Sequence, residues 1–423
     1  MPLHILHTAD WHLGQLFHGY DRDFEHSQFI RWLLGKLTEK HPDVFVLSGD
    51  VFDTVNPSAV AQRRFFEFLA AAHAVLPNLQ IVITAGNHDA GARIEAPAAL
   101  LESLKITVVG TVPKDCEGNL LPERLIKPLV DAQGAVAALL VVMPFLRSTD
   151  LPQVAEDKDA YLDGIKELYR MALEQARRLR ETQYPQAALL ALGHCHFSGG
   201  EESRDSERRI IIGGSESLRA DTFSSDFAYV ALGHLHKPQE FEGGRICYSG
   251  SPLPLSFAEQ NYKHRVLLVS LDKDRLVSSE SLLIPKSASL MRIPTQGAAP
   301  LAEILRQIEG FLVDPELPPE QQPFLEVQVL DDGPDPTRRK RIETALEGKA
   351  LRLASIKLCP MPRPQADTVT AKPAILLGDL EALDPMALFK DAYRERYEMD
   401  AGEILLSALR EILTEEQTKD SHS

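Results

Sequence analysis

Residues 44–53, VFVLSGDVFD, decide the fold. The first four residues form an apolar run of strand length, as in a strand buried on both faces. Gly49 then breaks the run, and two carboxylates follow, Asp50 and Asp53. The same order of apolar run and polar cluster recurs along the chain. Residues 5–6 precede Asp10-Trp11-His12, and 81–84 precede Gly86-Asn87-His88-Asp89. Residues 188–192 lead into Gly193-His194-Cys195-His196, and 229–232 into Gly233-His234-Leu235-His236. A further run spans 137–143. Segments 22–40 and 59–76 have helical length and period. Strands alternating with helices predict an α/β protein, two sheets flanked by helices. Runs 246–248 and 266–271 have no helix between them and read as β-hairpin additions.

The clusters carry the chemistry. Ligands of open α/β sheets gather beyond the carboxyl ends of the strands, where all five clusters fall. Imidazole and carboxylate together suit Mn, Fe, Zn or Co better than Mg or Ca, which prefer oxygen alone. Asp-x-His and His-x-His set two side chains on one side of an extended segment. Asp50 can bridge two ions, and Asn87 offers an uncharged carbonyl oxygen. Two metals about 3.5–4 Å apart can clamp both oxygens of an in-line phosphoryl displacement. One Asp-x-His alone would be ordinary surface chemistry, but five clusters, each at the end of a strand, would need five coincidences.

Asp53 and Asp89 read as turn residues that support ligands. His196 reads as exposed or structural, and Trp11 as packing. His4, His7, His18, His26, His41, His73, His264 and His422 have no motif around them and read as ordinary.

After residue 284 the composition shifts to a proline-punctuated stretch. Within it, 302–312 and 337–347 have helical patterns, and 324–330 and 351–358 read as strands. Asp335-Pro336 is a helix-start signal and Gly348 a stop. This predicts a small α+β module over 284–360, behind a main domain of 1–283. Basic residues outnumber acidic ones over 331–363, and Arg338, Arg339, Lys340 and Arg341 crowd a helix start. Such a run opposes the helix dipole, so DNA phosphate contact competes evenly with a solvated face. Prolines mark 361–383 as a linker. Helices follow over 384–423, with Phe389, Tyr393 and Tyr397 on one face and a second stripe that includes Leu405 and Leu409. Such stripes close a chain's own core or dock on a partner, and the linker ahead of them favours docking.

With 45 basic and 61 acidic side chains the net charge is −16, which argues against a polycation that coats nucleic acid or anionic membrane. The four cysteines lie far apart, so neither a zinc ribbon nor a disulfide framework is expected. The first ten residues lack a secretory pattern, so the expectation is a soluble, cytoplasmic chain.

The ordered set D-x-H, G-D-x-x-D, G-N-H-D, G-H and G-H-x-H resembles the calcineurin-like metallophosphoesterases. Asp10-Trp11-His12-Leu13-Gly14, Gly49-Asp50-Val51-Phe52-Asp53, Pro144-Phe145-Leu146-Arg147 and Gly250-Ser251-Pro252-Leu253-Pro254-Leu255-Ser256-Phe257 narrow the likeness to SbcD-type nuclease subunits. The resemblance covers 1–272 closely, and the rest in layout. It implies that Asp10, His12, Asp50 and His236 hold one metal, and Asp50, Asn87, His194 and His234 the other. It implies that His88 contacts the scissile phosphate as general acid. It further implies two divalent ions (Mn²⁺), an SbcC-type coiled-coil ABC ATPase bound by the C-terminal helices, DNA duplex ends, hairpins and single strands as substrates, and a homodimer within a heterotetramer. Two other readings use the same clusters. A stand-alone small-molecule or phosphoprotein phosphoesterase would not need the extra module and C-terminal helices. A catalytically silent scaffold of the ATPase would not need the full ligand set.

Overall fold

A computed structural model describes residues 2–154, 160–203, 218–219, 222–311, 314, 316–361, 385–397, 399–400, 402–403, 405–407 and 409–410. Two six-stranded sheets pack face to face. The first runs in the order Arg275–Leu283, Arg265–Asp272, Leu3–Thr8, Val44–Ser48, Gln80–Thr84, Ile106–Val109. The second runs Gln239–Phe241, Ile246–Tyr248, Phe227–Gly233, Ala188–His194, Val136–Met143, Ile126–Val130. Central strands are parallel in both, so their carboxyl ends share one edge of each sheet.

Burial on both faces explains the unbroken apolar runs. On Val44–Ser48, Val44 and Val46 point into the core between the sheets. Phe45 and Leu47 point the other way, into a core shared with helices Asp23–Lys40 and Ala59–Val75. Trp11 lies in that same core, fully buried against the edges of Phe29, Phe45 and Phe68. The second sheet is covered outside by the 24-residue helix Ala160–Gln183, which the sequence reading did not mark. The late hairpins divide between the sheets. Gln239–Phe241 with Ile246–Tyr248 extends the second, and Arg265–Asp272 with Arg275–Leu283 closes the first against Leu3–Thr8.

Beyond these sheets, Leu290–Ile293, Phe324–Asp331 and Arg352–Pro360 form a third, parallel sheet. Helices Leu301–Glu309 and Arg338–Leu346 cross between its strands and bury Ile304, Ile308, Ile342 and Leu346 on it. Its first strand has four residues and ends beside Pro294, so it was not visible in the sequence. Asp335 is not the cap of the second helix. Thr337 is, and Asp335 Oδ1 instead accepts the Thr337 amide at 2.8 Å in a turn just ahead of it. The module seats on the main sheets through Phe17, Phe257, Ala288 and Phe324, and Tyr20 donates to the Leu353 carbonyl.

Helix Pro385–Tyr397 follows, with the Phe389 and Tyr393 rings 5.9 Å apart and half-buried. Leu405 is 46% exposed and Leu409 is half-buried. The expected linker, apart from Met361, and Asp384, Ile404, Ala408, Ile412 and Leu413 lie outside the described residues, as does the Tyr397 side chain. All four cysteines are free thiols. Among the described residues no helix is long and apolar enough to cross a membrane.

Candidate metal centre

The loops that leave the first two parallel strands are zipped together. Asp10 N–H donates to the Gly49 carbonyl at 3.1 Å, and His12 N–H to the Asp50 carbonyl at 3.0 Å. To do this Asp10, His12 and Asp50 all adopt left-handed backbone, with φ of 54°, 46° and 47°. Non-glycine residues rarely accept that cost, which is typical of places where side-chain aim matters more than local stability. Gly86 makes the close approach possible. A Cβ there would stand 2.1 Å from Asp50 Oδ1. The second sheet joins at the same rim, where His234 N–H donates to Asp10 Oδ1 at 2.9 Å.

Ligand-type atoms converge on this rim. Asp10, His12 and Asp50 each offer one within 4.8 Å of the others, and all three residues are buried. Asp50 Oδ2 lies 3.5 Å from both His12 Nε2 and His194 Nε2, the placement of a carboxylate shared by two ions. His12 Nε2 is buried and makes no hydrogen bond. Asn87 Oδ1 lies 2.9 Å from His194 Nε2 and 3.0 Å from His234 Nδ1. His194 donates its Nδ1 proton to the Ser48 carbonyl at 2.9 Å. Burial also lowers its pKa, which favours the neutral ring with its lone pair on Nε2. A lone pair facing a carbonyl oxygen at that distance is repulsive unless a cation lies between them. The donor set of imidazole, carboxylate and amide oxygen fits a divalent transition metal.

Supporting groups fix the ligands. Asp53 Oδ1 sits 3.1 Å from His12 Nδ1, which leaves Nε2 turned toward Asp50. Asp53, His12 and His88 also make a second possible ligand group, but a neutral imidazole has one lone pair, and the Asp53 contact uses the Nδ1 proton. Asp89 accepts the amides of Val51, Phe52 and Gly86 and so ties two ligand loops together. Burial and the Asp50 charge push its carboxyl up to about 6 against those three bonds. Sequence reasoning missed Glu259. It is fully buried, and its Oε1 lies 3.1 Å from His236 Nδ1. Its only signal was its place just past the 250–257 stretch. His236 in turn lies edge-on to His12, ring centres 5.2 Å apart. His88 is 9% exposed at the mouth, with Nδ1 donating to the Asp53 carbonyl at 2.7 Å and its ring 4.8 Å from that of His12. His196 pairs with Glu202 at 3.2 Å, its ring 6.3 Å from that of His234.

The profile of the calcineurin-like phosphoesterases matches residues 3–238, and one described as a type 5 capsule protein repressor C-terminal domain matches 287–397. The SbcD subunit of the SbcCD nuclease from Rhodobacter capsulatus is 39% identical, with 92% of this chain and 94% of that protein covered. The protein of the same name in Escherichia coli K12 is 32% identical, with 78% of each covered. That of Bacillus subtilis is 33% identical, with 69% and 72% covered. The chain belongs to the SbcD family of nuclease subunits. It is therefore a metal-dependent phosphodiesterase, and the rim just described is where its fold gathers candidate metal-binding side chains.

Elsewhere in this SbcD-family chain the basic residues divide. Arg339, Lys340 and Arg341 face solvent. Arg338 does not: it is 6% exposed and donates to Asp332 Oδ1 and the Gly333 carbonyl, both at 2.8 Å. The helix period turns it inward, so it anchors a turn and is not offered to a phosphate. Lys349 caps the carbonyls of Glu309 and Phe311, and Arg352 lies 3.5 Å over the Phe324 ring.

Proposed function

We propose that this chain is a Mn²⁺-dependent DNA exonuclease and endonuclease subunit that processes double-strand ends and hairpins by two-metal phosphodiester hydrolysis in repair and recombination. The observation that carries the reading is the pair of facing half-sites on either side of Asp50. Asp10, His12, Asp50 and His236 would hold one ion. Asp50, Asn87, His194 and His234 would hold the other. When bound, the two cations supply charge for the phosphate and lower the pKa of water.

The chain's own residues do the rest. Asp53 and Glu259 hold His12 and His236 in one tautomer. Asp50 also accepts the His88 amide at 2.8 Å, which fixes the loop that carries the imidazole. His88 Nδ1 is committed to the Asp53 carbonyl, so Nε2 is the atom that meets the substrate and protonates the leaving oxygen. Residues 1–283 act as the nuclease domain and 284–360 as a cap, where Arg339, Lys340 and Arg341 contact phosphate. Residues 361–383 link the cap to helices over 384–423, where Phe389, Tyr393, Tyr397, Leu405 and Leu409 dock on an SbcC-type coiled-coil ATPase. The working form is a cytoplasmic heterotetramer built on a homodimer.

The test is a Mn²⁺-dependent assay on blunt duplex, hairpin and small phosphoesters, with and without the ATPase. Cleavage of duplex ends and hairpins is expected. Rapid hydrolysis of small phosphoesters with no DNA cleavage in either condition would overturn the reading. His88→Ala should keep both metals and lose cleavage by about 10² or more. Normal turnover in that variant would remove His88 from the reaction.

A further inference from the structure

Arg22 is a charge buried deep in the fold that the proposed reaction does not use; its side chain is fully buried. It forms a pair with Glu25, Nε to Oε2 at 3.1 Å and Nη2 to Oε1 at 2.6 Å. A pair alone would make it ordinary structure. Its remaining group, Nη1, reaches away from Glu25 to the Pro254 carbonyl at 2.5 Å and to Gln15 Oε1 at 3.2 Å.

The Pro254 carbonyl belongs to the peptide unit whose other end is the Leu255 N–H. That N–H donates to Glu259 Oε2 at 2.7 Å. Glu259 Oε1 meets His236 Nδ1. One peptide plane is therefore held from both sides, by a guanidinium on its oxygen and a carboxylate on its nitrogen. Rotation of that plane would release Glu259, and with it the aim of His236. Hydrogen bonds in series through low dielectric also polarise one another, which strengthens the last link.

The far side of Arg22 is the small module. Its guanidinium carbon lies 5.1 Å from the centre of the Phe17 ring and 5.8 Å from that of Phe324. Phe324 is a buried residue of the module's central strand, and Arg352 from the next strand lies over the same ring. The seat of the module thus presses on the residue that fixes the Pro254–Leu255 peptide. Among the described residues no such connection reaches the other half-site, where His194 is held by the Ser48 carbonyl.

We propose that Arg22 is a positioning residue for His236, and that the seating of the small module through Phe324 sets the affinity of one of the two metal sites and not the other. This rests on the two-metal reading above. The test is calorimetric titration of the full chain with Mn²⁺. The unaltered protein should take up two equivalents. Glu259→Gln should weaken one of them by about 10–100-fold, the usual cost of losing a partner of a ligating imidazole. Phe324→Ala should weaken the same one by about tenfold, at the low end of that range, and leave the second unchanged. The double variant should lose no more than Glu259→Gln alone, because both changes act through one path. Phe324→Leu keeps the apolar filling, removes the ring, and carries the test if Phe324→Ala does not fold. Additive losses, equal loss at both sites, or no loss in either Phe324 variant would overturn the coupling while the two-metal reading stood. No uptake by the unaltered chain would overturn the two-metal reading and this inference with it.

Discussion

The metal rim and the small module both bury charged side chains close together, and they treat them in opposite ways. In the module each buried charge has a compensating neighbour, although Glu326 Oε2, Arg338 Nε and Arg352 Nη2 make no hydrogen bond. Glu326 is fully buried, with Arg292 at 2.6 Å and Lys357 at 3.0 Å on its two sides. Arg338 closes on Asp332, and Arg352 on an aromatic face. At the rim the answers are missing from the chain: lone pairs of Asn87 and His194 face each other, and His12 Nε2 has no hydrogen-bond partner. Buried charges that neutralise one another are structure. Buried donor atoms aimed at one another call for a cation from outside.

The largest effect should come from disturbing that aim without touching a ligand. Gly86→Ala would drive a methyl group against Asp50 Oδ1 and the Asp50 amide nitrogen. A displacement of order 1 Å at a reacting centre costs about 10²-fold in rate. Steady-state cleavage should show this, and the melting temperature should fall as well, because the Asp50 backbone must shift to admit the methyl group. Full activity would mean that the rim tolerates slack, and the contrast with the module would fail. Next in size, Asp53→Asn frees the His12 ring to flip and should weaken Mn²⁺ binding by about tenfold or more. Glu326→Gln in the module should lower the melting temperature and leave Mn²⁺ binding unchanged, which titration of both variants would compare.

The two regions also differ in how legible they were. The proposed ligands come in short runs at strand ends, so one stretch such as Gly49–Asp53 displays glycine, the proposed bridging carboxylate and its support together. Each apolar run that preceded a cluster lies within a strand. What the sequence hid depends on distance in space. Glu259 serves His236 from 23 positions away, and no spacing rule points to it. Arg338 was grouped with its three neighbours because composition does not say which of four consecutive helical residues faces inward. The module's first strand was too short, and too close to a proline, to carry a period.

Histidine gives a finer comparison. His7 and His26 read as ordinary in the sequence, and both are buried as neutral rings. His7 sits between the sheets, with Tyr229 Oη at 2.9 Å and Ser48 Oγ at 3.0 Å. Burial, with the Arg265 charge, lowers its pKa to about 3 despite a hydrogen bond to the Leu232 carbonyl. Burial and the Arg22 charge take His26 to about 3 as well. The unfolded chain binds these protons near pH 6.5, and the folded chain only near pH 3. Stability from both rings is therefore complete above pH 6.5 and falls as pH drops toward 3. Urea unfolding from about pH 7.5 to about 4.5 should show the decline starting near 6.5, ahead of carboxylate titration. His7→Phe should reduce the slope by about one proton. A flat profile down to about pH 5 would mean that these rings are not held neutral.

The smallest effects belong to the basic helix, and they test the comparison at its weakest point. Arg339 and Arg341 are exposed, at 75% and 50% of their side chains, and their acidic neighbours Glu343 and Asp335 are exposed or only partly covered. Such pairs hold little energy, so the cations can be given up to phosphate at small cost. If Arg339, Lys340 and Arg341 contact DNA, each change to alanine should weaken binding evenly across sequences and lower the salt slope by about 1. Arg338→Ala should behave differently. It removes a buried donor from Asp332 and Gly333, so it should cost about 1–3 kcal/mol of stability and leave the salt slope alone. Binding isotherms on one duplex at several salt concentrations, beside melting curves, separate the two outcomes. A changed slope in Arg338→Ala with unchanged melting would place that guanidinium on the DNA. The burial that distinguishes it from its neighbours would then be a feature of the free chain alone.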